Sequence, residues 1–206
     1  MARNRYINAI ENINIYYLMG DPLRSEDHMR IFLTGVSCVG KTTVGKKLAA
    51  LLGCPFFDLD NEIESFFSTP IECLQDKFLT MYSFRQEASK ALKHLLNRKE
   101  TQDSVIALPP SGLMDNYWRV VQKPKGTIIV LTNDAANILK RITFYDKDSK
   151  PIEKNLTEEE KPLYLKDIKK DITYFNRTYK KADIWVHISG LNPEQAATKV
   201  KINIKG

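Results

Sequence analysis

Residues Gly35-Val36-Ser37-Cys38-Val39-Gly40-Lys41-Thr42 satisfy every fixed position of the G-x-x-x-x-G-K-[ST] pattern. That pattern cradles phosphate. Main-chain N–H groups wrap the tail of a nucleoside triphosphate at a helix N-terminus, where the helix dipole favours negative charge. Lys41 is spaced to reach the β- and γ-phosphates and the Thr42 hydroxyl to ligate Mg²⁺, with Thr43 continuing the nucleotide-binding run. The expected ligands are ATP and Mg²⁺.

Asp58 and Asp60 are the next residues with chemistry in them. They stand two apart in what reads as a strand end, so both carboxylates are expected on one face. Alone they would be solvated turn aspartates. Beside a phosphate loop, one can anchor the water shell of Mg²⁺, an ion that keeps waters and takes few protein ligands. The other can accept a proton from an attacking hydroxyl. Phosphoryl transfer also asks for positive charge around the moving group. Arg85, Arg141, Lys150 and Arg177 are candidates; each is an ordinary surface cation by itself, and their recurrence after successive strands makes the set meaningful.

Such residues need a frame, and the apolar runs supply one. Met29–Leu33 reads as a buried strand, and 43–52 as a helix ending at Gly53. Further strands are expected at 54–58, 104–108, 126–131 and 184–188, the third stopped by Pro109-Pro110. Helical patterns cover 63–67, 84–96, 135–142, 163–174 and 193–200, and the polar stretch 145–157 reads as a surface loop. Alternating strands and helices predict a parallel sheet covered on both faces. Ligands then sit beyond the carboxyl ends of the strands. The phosphate loop, Asp58 and Asp60, Pro109–Gly112 and Thr132–Asp134 would gather there.

The 206 residues suit one domain, with no internal repeat and no linker. The net charge of +6 comes largely from lysines and arginines in the last third that alternate with Glu158, Glu159, Glu160, Asp167, Asp171 and Asp183. A solvated helix face explains that pattern better than a nucleic-acid partner. No run is apolar enough to span a membrane. Cys38, Cys54 and Cys73 lack metal-ligand spacing, which predicts a reducing, cytoplasmic location. Residues 1–28 read as an appendage of unknown role, and Met29 as a candidate true start.

The phosphate loop, then Phe57-Asp58-Leu59-Asp60-Asn61-Glu62-Ile63-Glu64, Phe84-Arg85, and Arg177-Thr178-Tyr179 with Ala182-Asp183 follow one another as they do in shikimate kinases. The chain resembles that family from about residue 30 to its end. The resemblance implies a three-layer P-loop kinase fold on a five-stranded parallel sheet, with a substrate-binding insertion at about 61–95 and a lid at about 144–157. It implies phosphorylation of a hydroxyl of a small carboxylated metabolite, shikimate first, within aromatic amino acid biosynthesis; a monomer is the expected state, although nothing in the sequence sets it. By resemblance Asp58 supports the metal shell and Asp60 binds the acceptor hydroxyl and acts as its base. Arg85 and Arg177 clamp the carboxylate, a task suited to planar guanidinium forks. Arg141 stacks near adenine, and Lys150 supplies the lid cation.

Two departures concern the acceptor. Pro109-Pro110-Ser111, followed by Gly112, stands where the family has a Gly triplet. Prolines offer no N–H, which leaves Ser111 and Gly112 as the expected substrate-binding donors. The acid of Phe-Arg-x-x-Glu comes one position early, at Glu87, about 100° round a helix. Another small polar acceptor such as a sugar acid, or a regulatory ATP-binding module without catalysis, are the alternatives.

Overall fold

The computed structural model describes residues 29–205; the expected appendage at 1–28 lies outside them. In chain order the strands are β1 (Arg30–Thr34), β2 (Phe56–Asp58), β3 (Ser104–Ala107), β4 (Thr127–Thr132), β5 (Phe144–Tyr145), β6 (Pro151–Ile152) and β7 (Ile184–His187). The helices are α1 (Lys41–Leu52), α2 (Leu59–Phe67), α3 (Ile71–Gln75), α4 (Met81–Leu96), α5 (Asp115–Val121), α6 (Ala135–Leu139), α7 (Glu160–Tyr179) and α8 (Pro193–Lys205).

Five strands form one parallel sheet in the order β2-β3-β1-β4-β7. β1 lies at its centre, and all of its residues are buried. A strand covered on both faces reads as a continuous apolar run, which is why Ile31-Phe32-Leu33 was visible in the sequence. In register, Leu33 aligns with Ala107 on one side and Ile129 on the other. β2 and β3 lie to one side of β1, β4 and β7 to the other, so β1 is a topological switch point of the kind where α/β sheets bind ligands. α1 packs against α8. Gly45 lets α1 approach the sheet, because a Cβ there would lie 2.4 Å from the Phe56 ring.

The structure corrects several expected boundaries. α2 begins at Leu59 rather than 63, and α7 runs longer at both ends than 163–174. α6 stops at Leu139, short of 142, and α8 continues past 200. The stretch 145–157 is not all loop: β5 and β6 pair antiparallel, with Tyr145 opposite Pro151. Among the described residues no helix is long and apolar enough to cross a membrane.

Candidate active site

β1 ends at Thr34, and the chain turns at once into the phosphate loop. Gly35 has φ 146, and a Cβ there would lie 2.5 Å from the Leu131 carbonyl oxygen, so glycine is required. Cys38 also adopts a left-handed conformation, with φ 57, a strain that collects at ligand loops. Gly40 caps α1, whose ladder begins with Val44 N–H donating to Gly40 O. The Lys41 ammonium donates to Gly35 O at 2.9 Å and Val36 O at 3.0 Å, which fixes it across the loop. Burial holds Lys41 below the ordinary lysine range, while the carboxylates of Asp60 and Asp58 pull it back up.

Asp58 joins two elements. Its Oδ2 accepts from Thr42 Oγ1 at 2.6 Å, and its Oδ1 accepts from the Asp60 N–H at 3.2 Å as the N-cap of α2. Asp60 therefore sits in the first turn of a helix, not on an extended strand. The strand-end reading fails because Asp58 caps, and capping starts the helix at the following residue. The Asp60 carboxyl is pushed up to about 6, first by burial, then by Asp58, with Lys41 opposing and Glu64 and Glu72 adding.

Arg85 stands on α4 with its side chain 12% exposed. Its Nε and Nη2 both reach Asp115 Oδ2, at 3.0 and 2.8 Å. Glu87, the displaced acid, turns instead to Lys90 at 2.7 Å. Support for Arg85 thus comes from α5, where Asp115 adopts φ 43. No sequence motif announced that residue.

Pro109, Pro110 and Ser111 form one wall of a cleft of about 1200 Å³ that also contains Lys41, Thr42, Asp58, Asp60, Arg85 and Arg141. The Tyr179 hydroxyl donates to Pro110 O at 3.1 Å and anchors that wall to α7. Gly112 does not serve as expected: it is buried, and its N–H donates to Pro109 O at 2.8 Å within a turn. At the other end, Arg141 Nη1 donates to Val39 O at 3.5 Å, among apolar Ile188, Leu191 and Ala196.

Two expected cations are elsewhere. Arg177 is exposed on a shallow concavity of α7 with Lys166, Lys169 and Lys170, because its place in the helix turns it off the cleft. Lys150 is exposed, 3.8 Å from Asp148, since the β5–β6 hairpin turns it outward. Thr143 and Tyr145 are the residues of that segment that line the cleft. The hairpin is tied down by Ser149, whose Oγ contacts the carboxylates of Glu64 and Glu72. Cys73 Sγ also donates to Lys147 O at 3.1 Å.

The shikimate kinase family model matches residues 37–205. A shikimate kinase of Chlorobium phaeobacteroides is 34% identical over 115 residues, 56% of this chain and 58% of that protein. One from Aquifex aeolicus is 30% identical over 182 residues, covering 86% of this chain and 97% of the relative. Among solved structures, a shikimate kinase from Acinetobacter baumannii in complex with shikimate superposes with a TM-score of 0.66 at 25% identity, over 87% of this chain and 94% of that one.

Proposed function

The chain belongs to the shikimate kinase family, and from that membership and the cleft we propose that it transfers the γ-phosphoryl of ATP to a hydroxyl of shikimate. The observation that carries the reading is a half-buried carboxylate, Asp60, facing Lys41 in one cleft with a braced arginine. Arg85 holds the acceptor carboxylate, and Asp115 keeps its guanidinium oriented. Asp60 takes the proton as the acceptor oxygen bonds to the γ-phosphorus. The bridging bond to the β-phosphate breaks, and ADP leaves. Lys41, released from the Gly35 and Val36 carbonyls, offers its charge to the β- and γ-oxygens.

Thr42 Oγ1 and Asp58 Oδ2 are adjacent hard oxygen donors at the lip of the phosphate loop, a set that suits Mg²⁺ with its waters. Thr42 and Asp58 would hold the ion, which would supply positive charge to the phosphoryl transfer. The segment 144–157 serves as the lid over the nucleotide, and α2 to α4 as the acceptor-binding insertion. Free cysteines at 38, 54 and 73 support a reducing cytoplasm.

A second reading, a sugar acid as acceptor, is favoured by the Pro109-Pro110 wall and by the Gly112 N–H being engaged internally. ADP release with Mg·ATP across shikimate, gluconate and other hydroxy acids separates the two. Shikimate is expected to give turnover that Asp60→Asn lowers by about 10²- to 10⁴-fold. If no acid is turned over faster than by that variant, the chain is a nucleotide-binding regulator instead.

A further inference from the structure

Helix α7 has two unlike faces. Ile168, Ile172, Phe175 and Tyr179 turn inward onto the core, and Phe175 also lines the cleft. With about 100° between successive residues, Lys166, Lys169, Lys170 and Arg177 fall together on the opposite side, and Asp167 and Asp171 fall outside that stripe. All four cations are exposed. Lys170 pairs with Asp167 at 2.7 Å. Lys166, Lys169 and Arg177 have no ion-pair partner among the described residues. Apolar Pro162 and Leu165 share the concavity with them, and Leu163 and Tyr174 lie at its edge, 63% and 56% exposed. Apolar groups gathered on a surface mark a place for a partner, and the lysine stems add apolar area beneath their charged ends.

The chain itself carries a segment of matching chemistry. Tyr6, Ile10, Ile13 and Tyr17 recur at the i, i+4, i+7, i+11 spacing of one apolar helix face. Residues 6–23 also hold Glu11 and Asp21 and no Lys or Arg. The point where this segment joins the domain fits as well. β1 and β7 are parallel and separated by β4, so they start at the same edge of the sheet, about 10 Å apart. α7 ends at Tyr179, just ahead of β7 at Ile184, which brings its Arg177 end to that edge too. Five residues, 24–28, have a reach of about 16 Å, enough to carry residue 23 from Met29 to Arg177.

We propose that residues 6–23 dock on the outward face of α7 in the same chain. Tyr6, Ile10, Ile13 and Tyr17 seat against the apolar residues that flank the cations. Asp21 meets Arg177, and Glu11 meets Lys166 and Lys169. A nucleic acid would answer the cations alone, whereas this segment answers the apolar residues as well. The appendage then braces from outside the helix that meets the cleft through Phe175 and holds Pro110 through the Tyr179 hydroxyl. The inference stands apart from the identity of the acceptor.

The test compares the full chain with Lys166→Glu plus Lys169→Glu, with Glu11→Lys, and with all three substitutions together. Chymotrypsin cleavage after Tyr6, Tyr16, Tyr17 and Leu18 is timed under native conditions. Reversing charge on either side should speed cleavage there several-fold, because the segment is open more of the time. The triple variant should return toward the wild-type rate, a rescue that general loss of stability would not give. Wild type cleaved as fast as the variants overturns the proposal. So does a triple variant no slower than the others, since the two sets of charges then do not meet. Protection that vanishes on dilution assigns the segment to a second copy and overturns docking within one chain. Salt-sensitive retention of wild type on single-stranded DNA, lost in Lys166→Glu plus Lys169→Glu, makes the face a nucleic-acid surface and overturns it also.

Discussion

Asp60 is half-buried beside Lys41, with Asp58, Glu64 and Glu72 around it, and its carboxyl titrates near 6 rather than at the ordinary 3.8. The native chain therefore keeps a proton there that the unfolded chain releases from about pH 4 upward, and stability is lost as pH rises through that window. Two outcomes are expected. First, kcat/KM for the acceptor rises along a limb with an apparent pKa near 6 and levels above it, because only the ionised carboxylate accepts the proton. Second, Asp60→Asn gains stability relative to wild type increasingly between about pH 4 and pH 6 and by a constant margin beyond, on the order of 3 kcal/mol. A limb below pH 5, or a stability difference independent of pH, would contradict the assignment. At this scale the sequence exposed the phosphate loop and the two aspartates, because their spacing is local. Asp115 escaped it. Its partner, Arg85, stands 30 residues earlier in the chain, and no pattern within α5 encodes that.

Helix α5 shows how an element can replace a motif. Seven residues long, it is too short to display a helical period, as is the five-residue α3, so neither was read from sequence. The five sheet strands were, the three inner ones because burial on both faces demands unbroken apolar runs. α5 starts from a left-handed Asp115, a conformation that Asp and Asn tolerate. Asp115→Asn should keep that backbone and lose the charge that orients Arg85. We expect the acceptor KM to rise about tenfold, roughly the worth of a charge-assisted hydrogen bond, with ATP KM unchanged. Glu87→Gln, which acts on the Lys90 pair alone, should change neither. Equal loss of both ligands in Asp115→Asn would mean that α5 braces the fold rather than the clamp.

Across the whole molecule, the β5–β6 hairpin reaches over to α2 and α3 through Ser149 and through Cys73. The proposed lid is thus docked on the proposed acceptor insertion. Removing the hydroxyl with Ser149→Ala should speed limited proteolysis within 145–157 several-fold, and a non-hydrolysable ATP analogue with Mg²⁺ should restore much of the protection. Cleavage at the wild-type rate would mean that the hairpin is held by other contacts. The sequence foresaw a polar connection here but not its pairing, because two residues on each strand leave no alternation to detect. Asp58 carries a different lesson at this scale. Its one side chain receives the Thr42 hydroxyl with one oxygen and starts the helix of Asp60 with the other, so the proposed metal support and the proposed proton acceptor share a single hinge pin. A descendant of this chain that sought a new acceptor could not retune position 58 without misaligning both halves of the reaction. On this reading its freedom to change lies in the stretch from Pro109 to Tyr117, which lines the cleft without belonging to the phosphate loop.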